Sequence, residues 1–137
     1  MSCTIKKVSD KKKIIQIFNI QILKFIKQSL EQIPDLNKNA KIINLKNSLE
    51  TTVSLTPKIP IQLFYSHIVL PFYKEIENNN DEFFLNYDTS QIKNNDTIIL
   101  LKTIYKNSSN DQKKIMWKYV QKLKVLCLRY FSQNKKF

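Results

Sequence analysis

Glycine is absent from all 137 residues, and alanine occurs once, at Ala40. Phosphate-cradling loops, the sharp turn that presents a hydrolase nucleophile and dinucleotide-binding turns all need glycine. Each takes the backbone where a Cβ atom would clash. The commonest nucleotide-dependent enzymes are thereby excluded. Lysine (22), isoleucine (19) and asparagine (14) dominate instead, making 55 residues drawn from AT-rich codons. That bias weakens any inference that single lysines were placed for a purpose. With one arginine against 22 lysines, the chain also lacks the planar forks that usually read guanine edges.

A hydrophobic content of 42% is enough for one domain with its own core, expected over residues 9–132 between short basic tails. The longest apolar runs, such as Ile98 to Leu101, fall far short of a membrane span. The basic N-terminus is followed by an apolar stretch broken by Gln16, Asn19 and Gln21. No secretory signal is expected, and the chain reads as intracellular. Cys3 and Cys127 form neither a metal-ligand pattern nor a disulfide framework. Cys127, between Leu126 and Leu128, reads as a small core residue.

From Ser9 to Ile33, the residues Ile15, Phe18, Ile22, Phe25, Ile26, Ser29 and Ile33 fall on one helical face, and Pro34 ends the segment. Roughly 24 residues without a turn signal is too long for a strand. A second helix is predicted from Leu36 to Ser54, with Ile42, Leu45, Leu49 and Val53 inward. Thr56 should cap a third, with Pro57 at its first position. Ile61, Phe64, Ile68, Phe72 and Ile76 line that helix, and Pro71 should kink it. Asn78 to Asn95 reads as irregular, with a helical turn near Asp81 to Leu85. A further helix runs from Asp96, its expected cap, to Tyr105, with Ile99, Leu100 and Ile104 inward. Ser109 and Gln112 form a capping box for a last helix. The sum is an all-α fold, an irregular bundle of five to six helices in a single domain.

The last helix carries both cations and aromatics. On a wheel, Met116, Tyr119, Val120, Leu123, Leu126, Cys127 and Tyr130 lie within about 60° of one direction. Lys114, Lys118, Lys122 and Arg129 gather opposite. An apolar stripe at this spacing is core, and a lysine row is a solvated back. Trp117 and Leu128 lie off that core axis, as Ile17 and Ile20 do on the first helix. Apolar residues rimmed by polar ones mark interaction sites, so these four are the candidate protein-interaction residues.

Charge is uneven. Met1 to Lys74 carries +8, Glu75 to Leu101 carries −5, and Lys102 to Phe137 carries +9. If the end helices pack side by side, their lysine rows could merge into a face that holds phosphates through counterion release. Lys11, Lys12, Lys13, Lys114, Lys118, Lys122 and Arg129 are the candidate nucleic-acid contacts. Asp81, Glu82 and Asp88 lack the ligand spacing and the glycine of a helix–loop–helix calcium site, so no metal is expected. His67 is the only histidine and reads as structural within an apolar helix. With no paired carboxylates in a cleft and no supported Cys127–His67 relay, the chain is expected not to be an enzyme. No cofactor and no small-molecule substrate are expected.

"DEFFLNYD" at Asp81 to Asp88 and "IMWKYVQKLKVL" at Ile115 to Leu126 resemble small helical proteins of nucleocytoplasmic large DNA viruses, over about the last 55 residues. In those proteins an acidic–aromatic segment precedes a terminal helix built on a tryptophan–x–tyrosine core. The resemblance carries no catalytic residues. It implies a role in the host cytoplasm, in a virus factory or in the virion. The leading expectation is a non-enzymatic binding or scaffold protein that engages a protein partner, or itself. The rival is a sequence-independent nucleic-acid binder, and a third reading lays a basic amphipathic helix on an anionic membrane.

Overall fold

The computed structural model describes residues 2–80 and 96–132, with side-chain environments for residues 10–80 and 98–131. Among these the regular structure is helical throughout, and the fold is all-α. In chain order the elements are α1 (Ser2–Glu31), α2 (Pro34–Asn37), α3 (Ala40–Leu55), α4 (Ile59–Phe64), α5 (Tyr73–Glu77), α6 (Asp96–Lys106) and α7 (Asn110–Ser132). A π-helical turn at Tyr65–Val69 continues α4 without a break. The expected turn of helix near Asp81 to Leu85 lies outside the described residues.

The longest helices, α1 and α7, pack against each other and run antiparallel. Near one end the Lys11 ammonium sits 5.4 Å from the centre of the Tyr130 ring. Near the other, the Gln112 amide donates to Ser29 Oγ at 3.5 Å. Between them Phe25 and Tyr119 stack nearly parallel, with centroids 5.0 Å apart. One continuous core joins Phe18, Ile22, Phe25 and Ile26 of α1 to Val120, Leu123 and Cys127 of α7. Phe64 closes it with an edge-on contact to Phe18, and α6 adds Leu100, Leu101, Ile104 and Tyr105.

Helix α1 begins at Ser2, ahead of the expected Ser9, and three further boundaries differ from expectation, each for a local reason. The predicted helix from Leu36 to Ser54 is two helices. Asn39 turns its side chain onto the amides of Lys41 and Ile42, capping α3 and ending α2 one turn after Pro34. Thr56 does not cap the third helix. Its amide and its hydroxyl both donate to the Thr52 carbonyl, which closes α3, and Lys58 stands at the start of α4. Finally, Pro71 interrupts the third helix locally: residues 70–72 form a turn that the Phe72 N–H bridges by donating to the Ile68 carbonyl at 3.2 Å, and α5 resumes at Tyr73. Leu70 donates back five residues to the Tyr65 carbonyl, so the helix widens just before the residue that has no N–H to offer. Phe72 is only half-buried there.

Without glycine, asparagine takes the left-handed position that ends a helix. Asn79 has φ of 50°. Asn80 N–H bonds the Glu75 carbonyl and Asn79 N–H bonds the Ile76 carbonyl, the paired pattern that closes a helix C-terminus. At the start of α7, Ser109 Oγ accepts from the Gln112 amide at 3.1 Å. The other half of the capping box is unmade, since the Gln112 side chain reaches across to α1 instead.

Candidate functional site

The outward strips of α1 and α7 adjoin, because the two helices lie side by side. Ile17 is 46% exposed, Ile20 63% and Val125 50%, values that leave three large aliphatic side chains in water. Ile17 and Gln21 of α1 meet Gln121, Lys122, Val125 and Leu126 of α7 along an open groove of about 420 Å³. Its floor is apolar and its rim is amide and ammonium. On the far side of Gln121 lies a second depression of about 470 Å³, walled by Asn79, Lys114, Trp117 and Lys118. Gln121 is the ridge between them. Its amide is fixed by donating to the Ile76 carbonyl and, at 2.9 Å, to Asn79 Oδ1.

The electrostatics of this face follow from the two sequences. Between Lys11 and Leu30, and between Gln112 and Ser132, neither helix carries an aspartate or a glutamate, while together they carry eleven cations. Lys13, Lys24, Lys114, Lys118, Lys122 and Arg129 are exposed. Lys114, Lys118, Lys122 and Arg129 share one side of α7, as a helix with this spacing requires. Lys11, Lys12 and Lys13 do not act as a unit, because successive residues point about 100° apart. Lys11 lies against Tyr130, whereas Lys12 and Lys13 are exposed.

Trp117 is not part of an exposed apolar patch. It is 7% exposed, its ring meets Tyr105 edge-on at 6.5 Å, and its indole N–H donates to Tyr105 Oη at 3.3 Å. The expectation of a protein contact through Trp117 is corrected by this burial: Tyr105 of α6 meets the ring on the side of α7 that one core axis would leave bare. Only an edge of the ring reaches the basic depression. Leu128 is half-buried and packs against the core. Val125, Gln121, Gln21 and Leu126 were missed by sequence reasoning. Val125 did leave a signal, since it interrupts the cationic row between Lys118, Lys122 and Arg129.

The groups that chemistry would need are placed otherwise. Cys127 is buried, its thiol donates weakly to the Ile61 carbonyl at 3.9 Å, and burial pushes its pKa up, so the nucleophilic thiolate is suppressed. His67 is half-buried in the π-helical turn. Among the described residues, no group of three or more His, Cys, Asp or Glu side chains could hold a metal ion. Asp81, Glu82 and Asp88 lie outside the described residues. No helix among those described is long and apolar enough to cross a membrane. Compared with protein-family models, with curated proteins and with solved structures, the chain finds no match.

Proposed function

We propose that this chain is a non-enzymatic binding protein that engages a protein partner through the joint α1–α7 face. The observation that carries this reading is the exposure of Ile17, Ile20 and Val125 on two adjoining helices, since apolar side chains in water rimmed by polar ones mark contact surfaces. Another copy docked by the same face would set lysine rows against lysine rows, and like charges in juxtaposition repel. The partner therefore presents a surface of different charge. The resemblance of the C-terminal part to small helical proteins of nucleocytoplasmic large DNA viruses supports a virus factory or virion as the setting for this role.

The rival is sequence-independent nucleic-acid binding by the lysine row. Single-stranded binders add aromatic platforms on which bases stack. Here Trp117 and Tyr130 are buried and Tyr119 is stacked on Phe25, so α7 offers cations without platforms. Phosphate contacts also gain nothing from the exposed Ile17 and Val125.

The test is selection of a random-peptide library on the immobilised chain, followed by challenge with an Ile17→Glu/Val125→Glu double variant. Peptides that bind the wild type and not the variant are expected. A library yielding no such peptide, beside tight and steeply salt-dependent binding of single-stranded DNA, would replace this reading with the rival.

A further inference from the structure

Two neighbouring depressions, both mostly apolar in their lining, share one wall and differ in the lysines on their rims. The groove is lined by Ile17, Val125 and Leu126. The second depression has Lys114 and Lys118 on its rim and the edge of Trp117 below. Gln121 borders both, and its side chain is held in place by Ile76 and Asn79. The ridge is therefore preorganised, and so is the offset between the two depressions. Along the helix axis Val125 and Lys118 stand about 10 Å apart, two turns at the usual rise.

We infer that the partner is an acidic amphipathic peptide segment, bound along α7 with an aliphatic side chain in the groove and carboxylates over Lys114 and Lys118. This inference rests on the reading of the α1–α7 face as a protein contact and deepens it. Charge complementarity selects the occupant, because neither helix supplies a carboxylate along this face and a carboxylate-bearing ligand restores balance. The apolar half distinguishes it from a polyanion, which would leave Ile17 and Val125 in water. The fixed spacing distinguishes it from a lipid surface, which needs no register between its apolar and anionic parts. A segment with an aliphatic residue and acids about seven positions away along a helix meets both depressions at once.

The experiment reads the composition of peptides selected from a random library on the intact chain. It then compares their affinity for wild type, Val125→Glu and Lys114→Glu/Lys118→Glu, with single-stranded DNA and anionic phosphatidylserine vesicles as competing probes. Selected peptides should be enriched in both aliphatic residues and acids at a constant spacing. Each variant should weaken them by roughly ten-fold or more, while Val125→Glu changes DNA binding only by the modest amount that one added negative charge imposes. Peptides that depend on Val125 but carry no acids would overturn the inference while leaving the protein-contact reading in place. Absence of any Val125-dependent peptide would remove both. Vesicle or DNA binding tighter than that of every selected peptide would overturn the inference in favour of a membrane or a nucleic acid. Circular dichroism of each variant shows that the fold survives.

Discussion

Trp117 donates its indole hydrogen to the Tyr105 hydroxyl at 3.3 Å, which ties α7 to α6 within the core. This bond and the edge-on ring contact make the tryptophan a structural residue. Tyr105→Phe removes one buried hydrogen bond and should cost about 1 kcal/mol. Trp117→Ala should cost about 3–5 kcal/mol, a large share of the 5–15 kcal/mol that holds a typical domain together. Urea unfolding of both variants checks the pair. A Trp117→Ala variant as stable as the wild type would show that the indole is not buried.

Surface substitutions should behave oppositely. Ile17→Glu and Val125→Glu replace side chains about half exposed, so each should shift stability by no more than about 0.5 kcal/mol. The contrast with Trp117 separates folding from binding within one experiment. The readout is again the urea midpoint, at unchanged slope.

Helix α5 ends on Asn79, which holds the left-handed conformation that glycine takes in most chains. Asn79→Gly and Asn79→Ala both lose the bond to Gln121, but alanine alone also meets the steric cost of that backbone, so Asn79→Ala should be about 1–2 kcal/mol less stable than Asn79→Gly. Thermal unfolding of the two variants reads the difference directly.

Cys127 gives a pH dependence with a definite sign. Burial raises its thiol above the ordinary value of 9.0. The folded chain therefore keeps this proton where the unfolded chain would release it. Its contribution to stability is intact below pH 9.0 and is lost as pH rises beyond that value. The slope should approach about 1.4 kcal/mol per pH unit. Cys127→Ala should lose this part of the slope, measured as the difference between the two unfolding curves. Thiol reagents should label the native chain no faster than it opens.

Tyr73 is shifted in the same direction for a different reason, since its side chain is exposed. Its phenol donates to the Glu77 carboxylate one turn away, and that bond, with the negative charge beside it, raises the phenol pKa above 10.0. Glu77→Gln should bring it back towards that value, as followed by ultraviolet titration of the phenolate.

The α1–α7 pair was legible because both helices keep a 3.6-residue apolar period over many turns, so Phe18, Ile22, Leu123 and Cys127 could be placed inward from letters alone. The break at Asn39 was not legible. It depends on a side chain competing for two amides in a stretch that reads equally well as helix surface. Pro71 announced a disturbance but not its form, since the widened turn beginning at Tyr65 needs the packed neighbours to hold it. Trp117 misled because a wheel with a single core axis assumes one covering neighbour, whereas α7 packs against α1, against α4 with its π-helical turn and against α5, and Tyr105 of α6 meets the Trp117 ring. The groove could not be read from either helix separately. It exists only through the antiparallel register that Lys11–Tyr130 and Ser29–Gln112 define, which brings Ile17 beside Val125.

The most direct measurement is the affinity of one selected acidic peptide and one single-stranded DNA of equal charge, by fluorescence anisotropy, for wild type and for the Ile17→Glu/Val125→Glu variant. The account predicts that the peptide loses roughly ten-fold or more in affinity, about 1.4 kcal/mol. DNA binding should change only by the modest amount that two added negative charges impose. Equal losses for both ligands, or a peptide indifferent to the substitutions, would contradict it.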